Sequence, residues 1–343
     1  MHYSDVMGVN EVPGVLNIKG SRFLITGGTG SFGSTIVRRL LAEGCSLIRV
    51  FSRDESKHFA LQNELQDDRV DYQIGDIRDF TSLRYALNEI DYVFHAAALK
   101  HVPASESNPF EYVKTNIQGS HNLLTAFADS SVKAAVFLST DKAVYPVNAM
   151  GMTKALMEKL VRSSSYLSRT ASSITRYGNV VGSRGSIIPL VVSAIKNEKP
   201  IRITDWAMTR FVMSLEDSVE LVLHSLKHGS PGDLFVKKAS AANLRTILDA
   251  VETLLSKKAS LIEIGGVRPG EKIHETLLNS EERTYAEESE SFFRVPSVVL
   301  RNKSEMPKSR VENEYSSNTT TMMSVDQLYH FLKSDKEIAK IIQ

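Results

Sequence analysis

The chain has 343 residues, 42% hydrophobic and 24% charged, the proportions of an ordinary folded protein long enough for two packed lobes, so disorder and collagen-like repetition are excluded. Its 41 Lys and Arg face 40 Asp and Glu; a balance of +1 provides no global basic field for nucleic acid, and any bound phosphate must be held locally. Cys45 stands alone and cannot close an intramolecular disulfide, and no apolar run of bilayer-spanning length occurs, so a soluble cytoplasmic protein without nucleic-acid or membrane partners is expected.

Met1 to Gly20 reads as an N-terminal arm, since it carries Asp5 and Glu11 and lacks the basic start and apolar stretch of a signal peptide. Six apolar or β-branched runs then follow in order: Arg22–Thr26, Leu47–Ser52, Tyr72–Asp76, Tyr92–Ala97, Ala134–Thr140 and Ser173–Tyr177. Each ends like a buried parallel strand, and helical stretches lie between them. Asn108-Pro109-Phe110-Glu111 predicts a helix start with a cap, a first-turn proline and an acid, and Ser214-Leu215-Glu216-Asp217 predicts another. Gly44 and Gly229 are expected to close helices, and Tyr315 to Met323 to form a loop. This alternation predicts an α/β fold: a doubly wound parallel sheet of Rossmann type over residues 21–180 and a smaller, mainly substrate-binding domain over 181–343. Within the latter, 211–238 is expected to return to the first domain.

The first strand runs into Thr26-Gly27-Gly28-Thr29-Gly30-Ser31-Phe32-Gly33 and then a helix. Missing side chains at Gly27, Gly30 and Gly33 let a pyrophosphate approach the backbone at a helix N-terminus, so Thr26, Gly27, Thr29, Gly30, Ser31, Phe32 and Gly33 are candidate cofactor residues. A nucleotide-hydrolysing phosphate loop fails, because Ser34 and Thr35 stand where a lysine is needed. At the second strand's end, Ser52 and Arg53, with Lys57 behind, suit the 2′-phosphate of NADP; Asp54 keeps NAD as the alternative. Asp76 and Ile77 frame adenine, and Ala96, Ala97 and Ala98 are small enough for a cofactor to cross.

Several further blocks resemble the extended short-chain dehydrogenases/reductases, and more narrowly the bacterial UDP-N-acetylglucosamine 4,6-dehydratases that invert carbon 5. They are His95-Ala96-Ala97-Ala98-Leu99-Lys100-His101-Val102-Pro103, Ser139-Thr140-Asp141-Lys142, Arg176-Tyr177-Gly178-Asn179-Val180, Ser183-Arg184-Gly185-Ser186, Met208-Thr209-Arg210-Phe211 and Arg268-Pro269-Gly270-Glu271-Lys272. The resemblance covers about residues 20–340 and is greatest to enzymes feeding UDP-N-acetyl-L-fucosamine into capsule and O-antigen synthesis. It implies an internal redox cycle on UDP-N-acetylglucosamine, with inversion at carbon 5 and an open question at carbon 3. It also implies a homo-oligomer, dimer or hexamer, paired through the helices near Asn108–Ala128 and Met150–Arg169. Lys100, Asn116, Lys154, Tyr177 and Asn179 are carried over as cofactor contacts.

On this reading Lys142 is the base at carbon 5, Asp141 the acid for the departing 6-hydroxyl, and Thr140 the hydrogen-bond partner of the 4-oxygen. The lysine must then be neutral and the aspartic acid protonated, and close pairing of the two opposes both. Met150 stands where this superfamily normally has tyrosine in Tyr-x-x-x-Lys, and a thioether takes no proton. Lys142, or a water held by Thr140 and Lys154, is expected to collect the 4-hydroxyl proton. Arg210 and Arg268 are the diphosphate candidates, Arg184 lines the cleft or an oligomer contact, Glu271 accepts from the uridine ribose, and Lys100 and Asn179 reach the sugar nucleotide. No metal site is expected: His224 and His228 lack a third ligand, and Lys227 and His228 suit the negative end of a helix. The rivals are a UDP-sugar 4-epimerase and a non-catalytic dinucleotide-sensing module.

Overall fold

The computed structural model describes residues 17–164, 170–183, 185–266, 270–297 and 313–342. The first half alternates strand and helix: β1 (Arg22–Thr26), α1 (Ser31–Ala42), β2 (Leu47–Ser52), α2 (Glu55–Leu65), β3 (Val70–Ile74), α3 (Phe80–Ala86) and β4 (Tyr92–His95). Then come α4 (Val102–Ser107), α5 (Pro109–Tyr112), a π-helical segment (Val113–Gln118), α6 (Gly119–Ala126), β5 (Ala134–Leu138), α7 (Ala149–Ser164) and β6 (Ala171–Arg176). The second half is α8 (Ile187–Lys196), β7 (Ile201–Ile203), β8 (Thr209–Phe211), α9 (Leu215–His228), β9 (Leu234–Lys237), β10 (Ala241–Asn243), α10 (Leu244–Leu255) and β11 (Ile262–Ile264). It ends with β12 (Thr276–Leu278), α11 (Ser280–Tyr285), β13 (Glu287–Glu288), β14 (Phe292–Val295), β15 (Tyr315–Ser316), α12 (Val325–Ser334) and α13 (Lys336–Ile342).

Nine strands form one sheet in the order β13-β14-β9-β6-β5-β4-β1-β2-β3. It is parallel from β3 to β9, while β14 and β13 add an antiparallel edge that the sequence pattern did not predict. The chain reverses direction across the sheet between β1 and β4, which opens a crevice at their carboxyl ends, where ligands meet open parallel sheets. α1 buries Phe32, Ile36, Val37 and Leu40, an i, i+4 stripe, on the same face as Val219 and Val222 of α9. Leu123, Leu124, Met157 and Val161 of α6 and α7 cover the other face. A separate core, including Ile188, Val192, Met208, Ile247, Val251 and Leu328, gathers α8, α10 and α12 into the smaller lobe. Among the described residues no helix is long and apolar enough to cross a membrane.

Local signals mostly resolve as expected, with physical exceptions. Ser214 and Asp217 form a reciprocal capping box. Asn108 caps nothing with its side chain, which instead donates back to the Ala104 carbonyl at 3.3 Å; α5 runs through the π segment into α6. Gly44 is left-handed (φ 81°), whereas Gly229 is not (φ −77°). Glycine is needed there because a Cβ would lie 2.5 Å from the Ser225 carbonyl oxygen. β4 ends at His95 and not Ala97, because the alanines leave the ladder where Gly27 meets them. Tyr315 and Ser316, expected in a loop, pair with β12.

Candidate active site

The glycine turn between β1 and α1 lies at the crevice. Gly27 has φ 70°, and a Cβ on it would stand 2.8 Å from the Ala97 nitrogen; a Cβ on Gly33 would stand 2.5 Å from the Gly27 oxygen. Side chains would therefore fill the cradle. Gly30 caps α1 without a side-chain bond, so backbone alone presents the helix's positive end, which is what a dinucleotide pyrophosphate requires. Phe32 is buried beneath the turn. Thr26 faces inward: it is fully buried, its hydroxyl pairs with His95 Nδ1 at 2.8 Å, and it ties β1 to β4 as a strut. Thr29 Oγ1 is 2.9 Å from Ser52 Oγ, which also meets His58 Nε2 at 2.7 Å, joining the turn to the end of β2.

The neighbouring charges divide differently from expectation. Asp54 is the N-cap of α2 and accepts from the Lys57 amide at 3.0 Å and from its ammonium, so its carboxylate is engaged at a helix start. Arg53 is half exposed and lies 3.7 Å from Asp76, which Arg78 holds at 2.6 Å. Ile77 is buried, Ala96 and Ala97 are half-buried, and Ala98 and Lys100 are exposed beyond β4. Asn116 is fully buried. Its side chain clasps the Leu99 backbone at 2.9 and 3.0 Å and donates to Thr153 Oγ1 at 3.0 Å, so it positions the loop after β4 against α7 and does not face the crevice.

At the tip of β5, Thr140 caps a 3₁₀ turn that holds Asp141 and Lys142. The Thr140 hydroxyl donates to Asp141 Oδ1 at 2.7 Å, and Lys142 Nζ approaches the same oxygen at 3.0 Å. Asp141 Oδ2 has no hydrogen-bond partner among the described residues. Lys142 Nζ also lies 3.2 Å from Glu275 Oε1, a contact that the sequence reading missed. Burial pushes the Asp141 carboxyl up; Lys142 opposes this and the Glu275 charge assists it. Burial alone would lower Lys142, but Asp141 and Glu275 outweigh it and hold the ammonium above its ordinary range, so the neutral amine expected of a base is not its resting form. α7 comes close enough to this turn that a Cβ on Gly151 would stand 2.3 Å from the Lys142 carbonyl oxygen.

On α7, Met150 is buried and Lys154 follows one turn later. Lys154 Nζ donates to the Leu138 carbonyl at 2.6 Å and sits 3.0 Å from Met157 Sδ. Burial lowers it to about 8, against a weaker pull from Glu158. Glu158, two turns after Met150, forms a fork with Arg176 at 2.8 and 2.5 Å, and Arg176 also grips Glu282 at 2.7 and 2.8 Å. That cluster pins α7 and β6 to α11.

Asn179 Oδ1 is buried without a partner among the described residues, and Asn179 shares a small cavity with Arg210 and Phe211. Tyr177 is half-buried beside it, its phenol pushed up by burial. Arg210 is a buried residue of β8, not a loop cation: it donates to the Thr209, Ile273 and Lys272 carbonyls at 2.8, 3.1 and 3.1 Å. Glu271 lies 3.7 Å from that guanidinium and accepts from Thr204 Oγ1 at 3.1 Å, so both of its oxygens already face protein groups. Arg184 and Arg268 lie outside the described residues.

Residues 23–297 match the family described as "Polysaccharide biosynthesis protein". The chain belongs to that family. The "UDP-glucose 4-epimerase" of Rickettsia bellii is 45% identical over 280 residues, 80% of this chain and 82% of the relative, and that of Rickettsia prowazekii is 44% identical over the same shares. The solved structure of Pen from Bacillus thuringiensis superposes with a TM-score of 0.87 at 36% identity, covering 94% of this chain and 99% of that one. DesIV, a dTDP-glucose 4,6-dehydratase from Streptomyces venezuelae, reaches a TM-score of 0.68 at 24% identity over 74% and 86% of the two chains, a likeness of fold. This polysaccharide-biosynthesis protein is thus an extended short-chain dehydrogenase/reductase of the sugar-nucleotide dehydratase and epimerase group.

Proposed function

We propose that the protein is a cytoplasmic, homo-oligomeric UDP-N-acetylglucosamine 4,6-dehydratase that inverts carbon 5 and forms a UDP-2-acetamido-2,6-dideoxy-4-hexulose for capsule or O-antigen synthesis. The observation carrying this reading is the buried Asp141 carboxyl, one oxygen unpartnered, against the Lys142 amine at a strand tip. Loss of water across carbons 5 and 6 requires a proton to be taken from one carbon while another is given to the departing hydroxyl, and these two groups have the chemistry for both. Thr140 reaches the 4-oxygen from the same tip.

The glycine cradle fits a nicotinamide dinucleotide, and Ser52 and Arg53 at the end of β2 favour NADP over NAD. A bound nicotinamide supplies a reversible store of hydride. With carbon 4 oxidised, the ketone acidifies the carbon 5 proton, which Lys142 removes while Asp141 protonates the 6-hydroxyl. Met150 leaves no phenol at carbon 4. Lys154, lowered to about 8, is the nearby group able to exchange a proton close to neutrality. Asn179, whose buried Oδ1 has no partner among the described residues, is the proposed contact to the sugar nucleotide.

A second reading, a UDP-sugar 4-epimerase, is favoured by the names of the Rickettsia relatives. It needs proton transfer at carbon 4 alone and leaves the paired acid and amine without a task. Incubation with UDP-N-acetylglucosamine in deuterated water, followed by NMR, separates the two. The dehydratase gives a 6-deoxy-4-ketose, absorbing in alkali and deuterated at carbon 5; an epimerase gives neither, and unchanged sugar rejects both.

A further inference from the structure

Lys142 is claimed by two buried carboxyl groups, Asp141 from its own turn at 3.0 Å and Glu275 from the segment before β12 at 3.2 Å. The two are not equivalent. Glu275 has a second cation, Arg210 Nε, 3.9 Å from its Oε1, and Lys272, whose ammonium donates to the Val144 carbonyl, adds to the positive field at both carboxyls. Glu314 in turn faces Lys272, and Glu271 faces Arg210. Glu275 is held firmly: its amide donates to Ser317 Oγ at 2.9 Å, its carbonyl accepts from the Ser317 amide at 2.7 Å, and Ser317 is tied to Thr209 on β8 at 2.6 Å. Each carboxyl keeps one oxygen, Asp141 Oδ2 and Glu275 Oε2, with no partner among the described residues.

Two like charges sharing one ammonium disfavour double ionisation, and the carboxyl with fewer cations is the one to retain a proton. We infer that Glu275 is the third member of the acid–base set, a positioning residue that serves as counter-ion of Lys142, so that Asp141 keeps its proton and stays able to act as the acid. The directions agree: burial raises Asp141, whereas Lys142 and Arg210 overcome burial to hold Glu275 below its usual range. The role in turnover rests on the dehydratase reading; the resting place of the proton does not. The transfers balance. Lys142, once its own proton has passed to solvent, takes the carbon 5 proton; the electron pair left on carbon 5 forms the carbon 5–carbon 6 double bond as the carbon 6–oxygen bond breaks, and the Asp141 proton joins the departing 6-hydroxyl to release water.

The test is an infrared pH titration of the protonated carboxyl band in the full-length protein, compared with Asp141→Asn, Glu275→Gln and Glu275→Asp. The expected result is a carboxyl protonated near neutrality that disappears in Asp141→Asn, titrates about one pH unit lower in Glu275→Gln, and returns toward the original midpoint in Glu275→Asp. Deuterium uptake at carbon 5 should fall about tenfold or more in Glu275→Gln. A band that survives Asp141→Asn, a midpoint unmoved by Glu275→Gln, or an equal shift in Glu275→Asp overturns the inference. The expected titration without any 4-keto product overturns the dehydratase reading alone.

Discussion

Among the described residues, the Arg176 and Lys142 clusters each set one cation between two carboxyl groups, and they are built to opposite specifications. Around Arg176, Glu158 and Glu282 each accept a two-pronged bond, Ser139 adds a bond of 2.5 Å to Glu158, and the Leu277 carbonyl takes a further Arg176 hydrogen at 3.1 Å. None of the three side chains leaves a buried polar atom without a partner. Around Lys142 the contacts are longer, 3.0 and 3.2 Å, and an oxygen of each carboxyl is left over. A satisfied cluster is a clamp. An unsatisfied one can change its proton content without breaking a hydrogen bond, and that is the property acid–base chemistry uses.

Removing the cation from each cluster should therefore have different consequences. Lys142→Ala is expected to lower dehydration by about 10²- to 10⁴-fold. Its thermal midpoint should move little, because Asp141 already keeps its proton and Glu275 retains Arg210 beside it; unchanged solvent deuterium exchange at carbon 5 in this variant would reject Lys142 as the base. Arg176→Met should do the reverse to the measured quantities. It strands the buried Glu158 and the half-buried Glu282 carboxylates and should cost about 3–5 kcal/mol in urea unfolding, since breaking a buried pair on one side leaves charge uncompensated. If Arg176→Met unfolds at the original urea concentration, the clamp assignment is wrong.

The two clusters were also unequally legible in sequence. Thr140-Asp141-Lys142 is contiguous and ends an apolar run, so a strand tip with an acid and an amine could be read from local pattern alone. Glu275 is 133 positions beyond Lys142, in a stretch with no periodic or motif signal of its own, and only the path of β8, β12 and β15 brings it there. The Arg176 clamp was missed for the same reason, since its partners come from α7 and α11. The Rossmann half was legible because each strand and helix carries its own periodicity and because glycines mark the turn. The antiparallel edge was not, for β13 has only two residues and gains its place by pairing. Side-chain direction was the other hidden quantity: Thr26 opens the glycine motif and Asn116 was carried over as a cofactor contact, yet both turn inward, to His95 and to the Leu99 backbone.

Lys154 offers a smaller test, on the α7 side of the comparison. Its folded value of about 8 lies below its ordinary 10.5, so burial penalises its charged form. Below about pH 8 both folded and unfolded chains hold the proton and the penalty is fully present. Between about 8 and 10.5 the unfolded chain binds more protons, so stability contributed by this group rises with pH. Lys154→Met lacks that rise, and its advantage in unfolding free energy over the parent should shrink across this window, by on the order of 2 kcal/mol. A constant difference between the two proteins across the window would mean that Lys154 is not depressed.

Asp54 gives the least costly break and the cleanest separation of structure from recognition. Its carboxylate resembles those of the Arg176 clamp in being committed, here to the amide and ammonium of Lys57 at the start of α2. A cap of this kind contributes about 1 kcal/mol, so Asp54→Ala should lose roughly that much stability. If the proposed NADP preference is carried by Ser52 and Arg53, the same variant should keep its ratio of NADP to NAD affinity, whereas Arg53→Ala should move that ratio toward NAD. A shift in the ratio on Asp54→Ala would mean that the cap also reads the ribose. Commitment to a helix start would then no longer separate a structural carboxylate from a recognising one, and the distinction drawn between the two ionic clusters would need unpartnered oxygens, not partner number, as its criterion.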